Sequence, residues 1–175
     1  MKVAFGSTRI VIVGKQYTVK CAHFHPLMTV HELVGCAKRG KQELKLFMSA
    51  PETAWGGFKN IFLRGVLCNK REAKYSTELG EIAVPTRFSL FGIFNIQETA
   101  SSHRYDRGLL WKIFFDIIGK DLRAADHTFA GEQSFGMHGG RMKIIDYGSA
   151  RFPELLIKHK QEIIKALGGL DYSAT

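Results

Sequence analysis

The densest chemistry in the chain lies in Lys143-Ile144-Ile145-Asp146-Tyr147-Gly148-Ser149-Ala150. An apolar β-branched run ends there in an acid, then an aromatic residue, then a glycine. A carboxylate at a strand's end projects into the mouth between two layers, and a following glycine lets the chain turn sharply. That placement suits an acid offered to a metal ion, although Asp-aromatic-Gly is also ordinary turn chemistry. Lys20 closes the alternating run Tyr17-Thr18-Val19-Lys20, an ammonium at a strand end whose default is solvation. Glu72 stands three residues after Asn69, the spacing of a capping box at a helix start, with Glu78 further along. His127 and His138 have no second histidine or cysteine at ligand spacing and read as solvated or capping residues. His23 and His25 alternate on one strand face and lack an evident third ligand. Cys21, Cys36 and Cys68 are odd in number, far apart and without a CxxC, which predicts reduced thiols in a cytosolic protein.

These residues need elements to position them. Arg9-Ile10-Val11-Ile12-Val13 reads as a short strand, Gly14-Lys15 as a turn, and 16–21 as the return strand of a hairpin. Between 23 and 65 the pattern predicts a helix over 29–37, capped by Thr29 with Glu32, and a second apolar-periodic piece over 43–48. Asn69 is the expected N-cap of a helix that stops at Gly80. After Pro85, 87–97 reads as a strand pair or one long strand bent at Gly92. An apolar helix is expected over 106–120, a strand over 141–146 after the turn Gly139-Gly140, and a final helix over 153–167 with Pro153 in its first turn. Strands cluster early and helices late, an α+β arrangement.

A chain of 175 residues makes one domain or one compact unit of two small lobes. Apolar residues at 45% support a real core and exclude wholesale disorder. No apolar run reaches the ~18 residues of a membrane span, and the opening MKVAFGSTRI lacks the apolar stretch of a signal peptide. Lys+Arg 25 against Asp+Glu 16 gives +9, which attracts phosphate-bearing partners: nucleotide, nucleic acid or lipid.

Residues 143–150 resemble the KIIDFGSA stretch of protein kinases, with Tyr147 in place of the phenylalanine. In that family this acid binds Mg²⁺, which implies Asp146 as a metal ligand. The resemblance extends in order along the chain. Tyr17-Thr18-Val19-Lys20 looks like the strand whose lysine meets ATP phosphates, and Phe5-Gly6-Ser7-Thr8-Arg9 like a remnant of the glycine turn, implying Gly6 and Ser7 beside the nucleotide. Glu72, or Glu78 in another register, would hold Lys20. FSLFGIFNIQE would lead to a hinge, with Asn95 and Gln97 near the adenine. The catalytic loop admits two alignments. In one, Asp121 is the catalytic acid and Asp126 replaces the metal-binding asparagine. In the other, slightly preferred, Asp126 is the catalytic acid and Gln133 holds the metal. Asp126 lies in the site either way.

The departures are large. Lys20 and Glu72 are much further apart than in the family, so 23–65 is an insertion, and no activation loop or full C-lobe fits after Asp146. The chain is thus similar to short, divergent kinase-like proteins carried by bacteriophages. The implied fold is a protein-kinase-like two-lobe α+β fold: an N-lobe over 1–98 and a reduced helical C-lobe over 99–175. The implied activity is phosphoryl transfer from ATP with Mg²⁺ to an unknown acceptor, in a cytoplasmic protein (the host cytoplasm if phage-encoded). The alternative is an inactive, pseudokinase-type binding protein acting on a host protein or nucleic acid. A third reading, a nucleic-acid-binding protein unrelated to kinases, rests on the charge and on the basic aromatic stretch 55–64, which otherwise reads as a strand with a solvated face.

Overall fold

The computed structural model describes residues 1–51, 57–101, 107–119 and 134–169. Strands β1 (Lys2–Phe5), β2 (Arg9–Val13) and β3 (Tyr17–Ala22) form an antiparallel meander. Between β3 and the next strand stand four helices: α1 (Pro26–Arg39), α2 (Lys41–Ser49), α3 (Phe58–Phe62) and α4 (Arg64–Leu79). Strands β4 (Thr86–Leu90) and β5 (Phe94–Glu98) then make a hairpin, and β5 pairs with β3. The sheet order is β1-β2-β3-β5-β4. Of the two expectations for 87–97, the strand pair is the one formed. Its turn places Phe91 at φ 51° and Gly92 at φ 78°, the left-handed pair that tight hairpins favour.

Cross-strand partners share a face, and the two faces of this sheet differ in kind. One carries Phe5, Ile10, Cys21, Phe94 and Leu90 in register, beside Val3, Ile12, Val19, Ile96 and Phe88. All ten are apolar and none is buried. The opposite face carries Arg9, Thr18, Lys20, Asn95 and Gln97, all buried. Helix α4 covers this polar face. Residues Gly65, Asn69, Glu72, Ser76 and Leu79 recur at helical spacing and are buried, so the stripe toward the sheet is mostly polar.

That inversion explains the misplaced start of the helix. Asn69 is not an N-cap; α4 begins at Arg64, and Asn69 lies fully buried inside it. Its amide donates to Lys20 O (3.1 Å) and Gly92 O (3.0 Å), stitching helix to sheet. The Asn-x-x-Glu spacing marks two side chains on one helix face instead of a cap. Helix α1 likewise starts at Pro26, not Thr29; Thr29 Oγ1 donates back to His25 O at 2.7 Å. Phe58–Phe62 is helical rather than a strand.

The second half supplies α5 (Arg107–Ile118), the hairpin β6 (Phe135–His138) and β7 (Arg141–Ile144), and two helices, α6 (Phe152–Lys158) and α7 (Lys160–Gly168). The single helix expected over 153–167 breaks at His159. The main core joins Leu79, Ile82 and Ala83 to Leu110, Phe114, Phe135, Ile144, Tyr147, Phe152, Leu156 and Ile163. No helix among the described residues is long and apolar enough to cross a membrane. All three cysteines are free thiols.

Candidate functional site

Four charged side chains from four parts of the chain converge where the sheet, α4 and the end of β7 meet. Lys20 comes from β3, Glu72 from the middle of α4, Asp146 from the segment after β7, and Arg9 from the first position of β2. Lys20 Nζ lies 3.1 and 3.0 Å from the two Glu72 oxygens and 2.7 Å from Ile145 O. An ammonium has three protons, and three acceptors surround this one. Arg9 Nη1 donates to Glu72 Oε1 at 2.6 Å and to Asn69 Oδ1 at 3.3 Å. Arg9 Nη2 donates to Asp146 Oδ1 at 2.5 Å. Arg9, Lys20 and Glu72 are buried, whereas the Asp146 side chain is 46% exposed. Among the described residues two cations and two anions meet there, the pairing that buried charges need.

The electrostatics follow from that geometry. Burial lowers the Lys20 pKa from its ordinary value; Glu72 opposes this and Arg9 reinforces it. Burial also works against the Arg9 charge, but Asp146 and Glu72 outweigh it and the guanidinium is held more firmly protonated than usual. Burial, with the Glu72 charge nearby, pushes the Tyr147 phenol up to about 12. Its hydroxyl lies 3.2 Å from Val84 O and 3.3 Å from Glu72 O, fastening the segment after Asp146 to α4.

The expected residues are distributed as follows. Lys20 and Glu72 are in ion-pair contact, with Asp146 joined to them through Arg9. Glu78 is exposed and so is not the partner. Gly6 and Ser7 form the exposed β1–β2 turn, fixed where Gly6 N donates to Arg9 O at 2.8 Å. Asn95 and Gln97 are fully buried behind the sheet. Asn95 Nδ2 donates to Asn69 O at 2.9 Å, and Gln97 Nε2 to Val84 O at 2.9 Å and Ile145 O at 3.3 Å. Both amides thus brace the core, and a nucleotide base would have to meet the chain beyond them. Asp121, Asp126, His127 and Gln133 lie outside the described residues. His138 is neither solvated nor a cap; its Nε2 lies 2.5 Å from Glu98 Oε2.

Gly148 has a different task from the one its place in the sequence implies. It is not among the residues with positive φ. A Cβ there would lie 2.3 Å from Cys68 O and 2.8 Å from Cys68 C. The glycine lets the segment after Asp146 touch the α4 backbone, which sets the carboxylate beside Arg9.

Arg9 is the participant that sequence reasoning missed. It opens a β-branched run, where a cation reads as a solvated strand end. Its contacts lie 60 to 137 residues away in sequence, so local pattern carries no signal for it.

No three His, Cys, Asp or Glu side chains converge on a metal position among the described residues. Mg²⁺ carried on phosphates needs only one or two carboxylates, with waters and phosphate oxygens completing its shell. Asp146, half-exposed at the rim, fits that smaller role. A cavity of about 290 Å³ lies elsewhere, between α1, α2 and α3 beside Cys36, Phe47 and Gly57. Compared with known proteins, the chain matches no family model, no curated protein and no solved structure.

Proposed function

We propose that the protein has a kinase-like two-lobe fold and is a phosphotransferase that uses ATP and Mg²⁺. The observation that carries this reading is the buried Lys20–Glu72 pair beside Asp146. A strand lysine braced by a helix carboxylate, next to a rim carboxylate, is the arrangement that orients a triphosphate and its metal. The sheet order and the position of α4 between β3 and β4 agree with it. Lys20 would contact the phosphates, Glu72 would hold Lys20, and the Gly6-Ser7 turn would cover the nucleotide. Asp146 would hold Mg²⁺, with Gln133 as the second metal-holding residue. Bound Mg²⁺ supplies charge neutralisation on the phosphate oxygens. Asp126, or Asp121 in the other alignment, would accept the proton of an acceptor hydroxyl as its oxygen bonds to the γ-phosphorus and ADP leaves.

The test is ATP binding followed by thermal shift with and without Mg²⁺. The expected result is a stabilisation that grows with Mg²⁺ in the wild type and loses its Mg²⁺-dependent part in Asp146→Asn. Equal Mg²⁺ dependence in the two proteins removes the reading. Transfer of labelled γ-phosphate should then vanish in Asp126→Asn while ATP binding is spared.

One observation favours the second reading, a pseudokinase-type binding protein with a host or nucleic-acid partner. All three Lys20 protons face protein acceptors, and Asp146 is paired with Arg9. ATP binding without transfer to any acceptor would select it.

A further inference from the structure

The outer face of the five-stranded sheet serves neither the main core nor the proposed site. Two cross-strand rows span its width, one from Phe5 to Leu90 and one from Val3 to Phe88. All ten positions are apolar and at least partly exposed. Tyr17 joins them, because it stands two residues before Val19 on β3 and side chains two apart share a face. Phe5 is 80% exposed, Tyr17 51% and Phe88 49%. An aromatic side chain can bury about 150–250 Å², so these three rings leave roughly 350 Å² open. At roughly 50 Å² each the other eight positions bring the face to about 750 Å², near the ~800 Å² that each partner gives to a specific interface. Monomers rarely expose more than a few hundred square ångströms of apolar surface in one patch. A sheet ordinarily covers its apolar face with a second layer, but here α4 covers the polar face instead.

We propose that this face is the contact between two copies of the chain, packed sheet on sheet about a two-fold axis. The charge distribution selects a second copy over an unlike partner. The chain carries +9, yet none of the ten row positions is charged. Arg87 and Glu98 stand at the border and pair with each other, as part of a polar rim. An acidic macromolecule or an anionic lipid surface drawn by the net charge meets no cation within the rows. Two like-charged chains, by contrast, meet at least cost where neither presents charge. The chain's own remaining residues are poor cover. The longest stretch outside the described residues, 120–133, reads KDLRAADHTFAGEQ and has only Leu122 and Phe129 as large apolar groups. A two-fold axis sets the same patch against itself, apolar on apolar, and twisted sheets stack in this way with their strands about 30° apart. The polar face, with Lys20 and Glu72, is turned away from the partner, so the pairing does not depend on the phosphoryl-transfer reading.

The experiment is sedimentation velocity of the wild-type chain over a concentration series. A particle of twice the 19.7 kDa chain mass should form with a Kd of about 1–10 µM, the weak end of what such an area supports. Well below that range the chain is single, and Ile12 is then only partly buried. Phe5→Glu and Phe88→Glu, at opposite edges of the sheet, should each weaken the dimer by about tenfold or more. Leu27→Glu, 86% exposed on α1, should leave it unchanged. Should Phe88→Glu fail to fold by circular dichroism, Leu90→Glu takes its place. The wild-type dimer also answers by itself. In a mixture of ¹³C-labelled and unlabelled chains, isotope-filtered nuclear Overhauser contacts should join the methyl groups of Ile12, Val19 and Ile96 to the other copy. A chain still single well above the stated range overturns the proposal, as does a dimer that Leu27→Glu dissociates and Phe5→Glu does not. Flotation of a single chain with phosphatidylserine vesicles, lost in Phe5→Glu, assigns the face to lipid and also overturns it.

Discussion

Glu72 is fully buried and faces two buried cations, so the two sides of the cluster are not equivalent to mutation. Glu72→Gln leaves Arg9 and Lys20 with Asp146 as their only anion among the described residues, and stripping a partner from a buried pair costs about 3–5 kcal/mol. Lys20→Met leaves Arg9 in place to neutralise Glu72, so its cost should be nearer the ~1–3 kcal/mol of an unmet buried polar group. Urea unfolding at neutral pH measures both, and a Lys20 variant as damaging as the Glu72 variant would show that Arg9 does not compensate. Tyr147 provides a pH test. Its folded pKa is raised from 10.0 to about 12, so its contribution is complete below pH 10 and is lost as pH rises through 12. A two-unit shift corresponds to about 3 kcal/mol. Wild type should therefore lose up to that much more stability than Tyr147→Phe between pH 9 and pH 12, and parallel curves would contradict it. The Lys20–Glu72 contact was expected from the resemblance to protein kinases, not from residue type, which read the lysine as solvated and the glutamate as a capping residue. Asp146 stood out by its place after an apolar strand. Arg9 did not, because its meaning depends on three contacts remote in sequence. Asn95 and Gln97 were legible as important but not as buried braces, since an amide reads the same in a cleft or behind a sheet.

At the scale of elements, the strands followed their β-branched alternation, while α4 defeated the usual rule. Its stripe against the sheet is Gly65, Asn69, Glu72 and Ser76, which a search for apolar periodicity assigns to solvent. The sheet completes the inversion: its buried face is polar and its apolar face is half-buried or exposed. Truncations should reveal this. Phe114 is fully buried, and Phe114→Ala should cost about 3–5 kcal/mol. Ile12, only partly buried on the outer face, should cost about 1 kcal/mol when cut to alanine, because little transfer energy and no closed cavity are involved. Equal losses in thermal melts would mean that the outer face is covered in solution. The contact between Gly148 and α4 is tighter still. A methyl group there meets Cys68 backbone atoms at 2.3 and 2.8 Å, and backbone cannot move aside as a side chain does. Gly148→Ala should cost about 3 kcal/mol or more and shift Asp146 away from Arg9; a melting temperature within a degree of wild type would refute the contact.

Across the whole molecule, the expected division at 98/99 separates the sheet from the later helices, but the core crosses it. Leu79, Ile82 and Ala83 from the first half pack with Phe114, Ile144, Tyr147 and Leu156 from the second. Backbone bonds follow the same path: Val84 N donates to Ile144 O at 2.9 Å, and Ile144 N to Ile82 O at 2.8 Å. Lys143 Nζ reaches Gly80 O at 2.6 Å, and Glu98 meets His138 at 2.5 Å. The α+β class was legible because each element's type is a local property. The interlocking was not, because periodicity shows which face of an element is apolar but not which partner covers it. A chain joined in this way should unfold as one cooperative unit. Residues 99–175 alone lack Leu79, Ile82 and Ala83, and with them the partners of Ile144. Residues 1–98 alone leave those same apolar groups in water. Each piece expressed separately should lack cooperative unfolding, while the intact chain should show coincident denaturant transitions by near- and far-ultraviolet circular dichroism. Hydrogen exchange gives the residue-level version: the amides of Val84 and Ile144 should exchange only by global unfolding, at the same free energy as each other. Two separated transitions, or a 99–175 piece that unfolds cooperatively by itself, would show that the second half is an independent lobe and that the bonds through Ile144 hold together two units already folded.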